Sequence, residues 1–99
     1  MIAIPKTFRL GGRTWTVRFE KIVGRDPDIL GLCRTHDAEI IIKKGLKPET
    51  TQHTFYHELC HATFETLGWD DLSTDEGKVD ALGGLLYQFL SSKKGKLTP

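Results

Sequence analysis

Cysteine is scarce in this 99-residue chain, which carries only Cys33 and Cys60. Two cysteines cannot form a multi-bridge framework, and they are expected to remain reduced, partly buried thiols. Long apolar runs are also missing. No stretch approaches the roughly 18 residues needed to cross a bilayer. The opening Ile2-Ala3-Ile4 is cut by Pro5 and Lys6 before a secretory leader could develop. Nor does either sign of charge prevail: 14 basic and 13 acidic side chains leave a net charge of +1. Such a balance implies no general affinity for nucleic acid or an anionic membrane. The basic run Lys93-Lys94-Gly95-Lys96 reads as a solvated terminus. These absences point to a cytoplasmic protein without nucleic-acid or membrane partners.

What is present is ordinary for a globular fold, with 38% apolar and 27% charged residues. The length suits one domain with one modest core. Residues 1–47 are expected to be mainly β, residues 48–90 to form two helices, and residues 91–99 to fray.

Thr7-Phe8-Arg9-Leu10 and Thr14-Trp15-Thr16-Val17-Arg18-Phe19 alternate apolar and polar positions about Gly11-Gly12, a two-residue hairpin signal. Trp15, Val17 and Phe19 share the face expected to turn inward. The stretch 21–29 has few apolar anchors and reads as a loop. Strands are expected over Leu30–Arg34 and over the β-branched run Glu39–Lys43, with a polar turn at Thr35-His36-Asp37. A first long helix should begin at Pro48 or Thr50 and stop at Gly68. A second should begin at Ser73 as N-cap and reach Leu90, with Val79, Leu82, Leu86 and Phe89 on one face. The expected fold is therefore α+β: three or four antiparallel strands followed by two helices.

The chemistry concentrates in His57-Glu58-Leu59-Cys60-His61. At 3.6 residues per turn, His57 and His61 lie one turn apart on one face, so both imidazoles can reach one metal ion. Glu58 falls about 100° round the helix from His57. It suits a carboxylate that touches a metal-held water rather than the ion, and so a general base. Two histidines, one further protein ligand and an open water position describe zinc arranged for hydrolysis.

The third ligand is sought among Asp75, Glu76 and Asp80. Glu76 and Asp80 are four apart on one face, which also carries Gly83 with Gly84 beside it. Missing side chains there would let the second helix approach the first. Ser73-Thr74-Asp75-Glu76 also reads as a capping box, which would commit Glu76 to its own helix end. Glu76 is nonetheless the first choice for the ligand and Asp80 the alternative. With Glu76 on the metal, Asp80 could accept the outer N–H of a ligating histidine. Of the remaining polar residues, His53 and His36 are expected on the surface, Cys60 in the core, and Tyr56 and Tyr87 in core or rim packing.

The pattern H-E-x-x-H, followed after fourteen residues by Glu76-Gly77-Lys78-Val79-Asp80-Ala81-Leu82-Gly83, resembles the zincin metallopeptidases whose third ligand is glutamate. It is most similar to the minigluzincins and to the phage-type relatives of the ImmA/IrrE metallopeptidases. In the latter a helix of pattern E-x-x-A-N-x-F-A follows the motif, and that register sets Glu76 on the ligand Glu and Asp80 on the Asn. The resemblance spans roughly residues 38 to 90. It implies a peptidase acting on a peptide or protein substrate, with Glu39–Lys43 lying along the active helix and holding the substrate as an added strand. A non-catalytic protein, in which zinc staples the helices and the surface binds a protein partner, is the alternative.

Overall fold

In the computed structural model, which describes residues 3–99, four strands and three helices follow in order: β1 (Thr7–Leu10), β2 (Arg13–Glu20), β3 (Gly31–Arg34), β4 (Glu39–Lys43), α1 (Pro48–Leu67), α2 (Asp70–Ser73) and α3 (Glu76–Ser92). The architecture is α+β. Gly11 and Gly12 both take positive φ, 62° and 75°, and close the hairpin between β1 and β2. That handedness matches the twist of the strands it joins. Gly11 is needed a second time for space, because a methyl there would overlap Thr66 Cγ2 near the end of α1.

The sheet is mixed rather than antiparallel. Its order is β1-β2-β4-β3, with β2 and β4 parallel and β3 antiparallel to β4. The central place of β4 follows from Ile40-Ile41-Ile42, all at most 2% exposed. Three consecutive buried residues require cover on both faces of the sheet and neighbours on both edges, so this run takes a central position. Ile40 and Ile42 pair with Val17 and Phe19 on the helix side. Ile41 points the other way, between Arg18 and Leu32. The stretch 21–29 is loop as expected, but it carries the fully buried Val23, and Gly24 sits against Leu32. A surface loop thus contributes an anchor on the face away from the helices. The same face carries the ion pairs of Arg18 with Glu39 and Glu20. Arg18 holds the Glu39 carboxyl below its usual range.

α1 lies between the sheet and α3. Pro48 opens it, and Gly68 at φ 77° ends it, returning its N–H to Glu65 and Phe64. Phe55, Tyr56 and Ala62 join Trp15, Ile40 and Ile42 in the main core. Phe19, expected inside, is 44% exposed at the strand end.

α3 starts later than expected. Its cap is Asp75, whose side chain accepts from Lys78 N at 3.1 Å, while Ser73 ends the short helix α2. The inward face of α3 also differs. Val79 and Gly83 are buried, whereas Leu82 and Phe89 are 39% and 63% exposed. Close helix contact at Gly83 turns the helix so that its neighbour Leu82 falls to the rim. A methyl on Gly83 would lie 3.0 Å from both Cα and N of His57. No helix among the described residues is long and apolar enough to cross a membrane.

Candidate metal centre

α1 presents His57 and His61 one turn apart, their ring centroids 5.1 Å from each other. Glu76, at the first turn of α3, reaches both: Oε2 lies 3.0 Å from His57 Nε2, and Oε1 lies 3.0 Å from His61 Nε2. The capping box does not form, since Asp75 caps the helix and the Glu76 carboxylate is given to the histidines. Two packing features put it there. Asp75 fixes where α3 begins, and Gly83 lets α3 settle onto the backbone of α1 two turns further on.

Asp80 takes a different position. Its Oδ1 lies 3.1 Å from His57 Nδ1, the nitrogen turned away from Glu76, and 3.5 Å from His53 Nε2. His53, expected on the surface, is half-exposed and lines the cleft beside the site. His61 Nδ1 meets Ser73 Oγ at 2.9 Å. Glu58 is buried, with Oε2 4.0 Å from His57 Nε2. Burial pushes its carboxyl up to about 7; His57 opposes that rise, and the Glu76 and Glu65 carboxylates add to it. His36 is exposed in the turn after β3. Cys60 is a buried thiol pushed up to about 11 by burial, and Tyr56 and Tyr87 stack on each other at 6.3 Å.

His57, His61 and Glu76 form a group able to hold a metal ion, each offering one ligand atom within 4.8 Å of the others. Bonds of about 2.0–2.2 Å in a tetrahedral site place ligand atoms roughly 3.4 Å apart, near the 3.0 Å between each imidazole Nε2 and its nearer Glu76 oxygen. The donors themselves give a stricter test. A carboxylate only accepts, so Asp80 places the His57 hydrogen on Nδ1 and leaves the lone pair of Nε2 directed at a Glu76 oxygen. Two acceptors 3.0 Å apart repel unless a cation or a proton lies between them. The donor set of two imidazole nitrogens and one carboxylate suits a divalent ion such as zinc.

A cleft of about 450 Å³ opens beside this group, lined among others by Leu30, Gly31, His53, Thr54 and Glu58. Its strand wall is β3, not β4. β4 lies between β2 and β3 with ladders on both sides, so its backbone cannot accept an added strand. β3 is an edge strand, at the end of the sheet opposite β1. Gly31 brings it against α1, where a methyl would stand 2.5 Å from Thr54 Cγ2 and 3.1 Å from Glu58 Oε2. Three residues with a part here escape sequence reasoning: Gly31, Glu65 and Ser73. Only Glu65 carried a usable signal, lying four residues after His61 on the same helical face. Comparison with known proteins gives no match: no family model, no curated protein and no solved structure matches the chain.

Proposed function

We propose that this chain is a small zinc-dependent peptidase of the zincin kind, with His57, His61 and Glu76 holding the ion and Glu58 as general base. The observation that carries the reading is the Glu76 carboxylate bridging two imidazole nitrogens, with a buried glutamate beside them on the wall of an open cleft. When bound, zinc would polarise the scissile carbonyl and acidify a water molecule.

The chain's own residues supply the remainder. Glu58 Oε2, shielded between α1 and Gly31, takes a proton from water and returns it to the departing amine. Burial raises its proton affinity, which suits a group that must both gain and release a proton near neutrality. Asp80 accepts from His57 Nδ1–H and holds the ring so that its Nε2 would be free to bind the ion. The outer edge of β3 offers backbone groups to an extended peptide, which runs along the cleft as an added strand. The substrate is then a peptide or an unfolded protein segment, met in the cytoplasm.

The test is Glu58→Gln, assayed for bound zinc and for cleavage of an unfolded protein substrate. Retained zinc with turnover reduced by about 10²–10⁴-fold is expected. A second reading is favoured by the origin of the ligands, because Glu76 belongs to α3 and both histidines to α1. Zinc could then serve only to join the helices. Under that reading, wild type and Glu58→Gln are equally inactive, while chelation lowers the melting temperature of both.

A further inference from the structure

His61 is the ligand whose outer nitrogen meets a hydroxyl rather than a carboxylate: Nδ1 lies 2.9 Å from Ser73 Oγ. A hydroxyl both donates and accepts. Ser73 alone would therefore leave two arrangements open. It can accept from Nδ1–H, which leaves the lone pair on Nε2, facing Glu76. It can instead donate to Nδ1, which moves the ring hydrogen to Nε2 and closes that nitrogen to a metal.

Glu65 removes the choice. Its Oε2 lies 2.7 Å from Ser73 Oγ, and a carboxylate can only accept, so the serine hydrogen points to Glu65 and a serine lone pair faces Nδ1. The direct distance from Nδ1 to Glu65 Oε2 is 3.9 Å, too long for a hydrogen bond, so the hydroxyl is the link. Glu65 is itself fixed, since Thr35 Oγ1 donates to Oε1 at 2.6 Å from the turn between β3 and β4. We infer that Glu65 is a positioning residue of the metal centre: acting through Ser73, it holds His61 as the Nδ1–H tautomer that leaves Nε2 able to bind an ion. Thr35 extends the same chain of hydrogen bonds to the sheet. The inference rests on the metal reading above, and goes beyond it by assigning a role to a residue that touches neither the ion nor substrate.

A merely structural Glu65 would tie α1 to α2 and to the turn without affecting the ring. Zinc affinity, measured by chelator competition, separates the two roles. Glu65→Ala is expected to weaken binding about tenfold or more, and Glu65→Gln, whose amide oxygen can accept from Ser73 with its NH2 turned to donate to Thr35 Oγ1, by no more than about threefold. Equal affinity in Glu65→Ala and wild type overturns the inference, as does a Gln variant as weak as the Ala variant.

The second measurement needs neither metal nor activity. Nitrogen-15 NMR of the His61 ring at about pH 9, where a free imidazole is neutral, reports the tautomer in a Glu76→Ala background that removes the competing acceptor. Nδ1–H is expected with Glu65 present, with a shift towards Nε2–H in Glu65→Ala. The same tautomer in both overturns the inference. Should Glu65→Ala fail to fold, Ser73→Ala takes its place in both measurements with the same expectations. A chain that takes up no zinc defeats the metal reading, and the NMR result still decides the role of Glu65.

Discussion

Gly83 and Gly84 are adjacent in α3, yet the same substitution should act on them with opposite signs. At Gly83 a methyl would stand 3.0 Å from His57 Cα and N and 3.2 Å from Tyr56 C, all backbone atoms of α1. Backbone inside a packed helix cannot step aside, so α3 must move outward by a few tenths of an ångström or more. Overpacking of this kind costs about 1–3 kcal/mol, against which Ala in place of Gly recovers about 0.5–1 kcal/mol of helix propensity. At Gly84 the nearest atom is His53 Nε2 at 3.4 Å, the end of a half-exposed side chain that can swing away. There the propensity gain prevails. Gly83→Ala should therefore lower the melting temperature, at about 4–8 °C per kcal/mol for a domain of this size, and Gly84→Ala should leave it unchanged or raise it. Zinc affinity should follow the same division. Displacing α3 carries Glu76 and Asp80 away from His57 and His61, and metal sites tolerate only about 0.2 Å of misfit. Thermal denaturation of the metal-free protein and zinc titration together provide the assay. A Gly83→Ala protein as stable and as zinc-avid as the Gly84→Ala protein would refute the argument that close helix approach builds the site.

At Gly31 the added methyl meets Thr54 and Glu58, so Gly31→Ala should depress peptide cleavage about tenfold or more while leaving zinc content intact, as the effect falls on Glu58 and the strand edge rather than on His57, His61 or Glu76. Zinc at about 100 times its dissociation constant should stabilise the fold by about 2.7 kcal/mol, and a chelator should reverse the rise in melting temperature. The pH dependence of the metal-free protein has a definite sign. Burial raises the Glu58 carboxyl to about 7, so its contribution to stability is fully present below the ordinary carboxyl range and is lost as pH rises through about 7. Glu58→Gln should accordingly raise the melting temperature near pH 8 and leave it unchanged near pH 4; equal shifts at both values would exclude buried charge as the cause.

Much of the fold follows from local rules. The hairpin at Gly11-Gly12, the Glu39–Lys43 strand and α1 from Pro48 to its stop at Gly68 were all legible, because turn, β-branched and capping signals act within a few residues. The direction of strand pairing was not. Burial of Ile40, Ile41 and Ile42 puts β4 at the centre, but which strands flank it depends on how residues 21–30 carry the chain to the far edge. The start of α3 differs from the Ser73 signal because two capping residues compete. Ser73 is drawn to His61 and Glu65, which leaves Asp75 to cap.

By itself the sequence determined the pairing of His57 with His61 and the place of Glu58 beside them, since helical periodicity alone sets those angles. It also narrowed the candidates for a third ligand to two carboxylates on one face. Choosing between them took the tertiary structure: docking at Gly83 and capping at Asp75 bring Glu76 to both Nε2 atoms and Asp80 to the outer nitrogen of His57. The edge strand beside the cleft and the Thr35–Glu65–Ser73–His61 chain were likewise decided only there. They join residues far apart in the chain, and local rules do not reach over such separations.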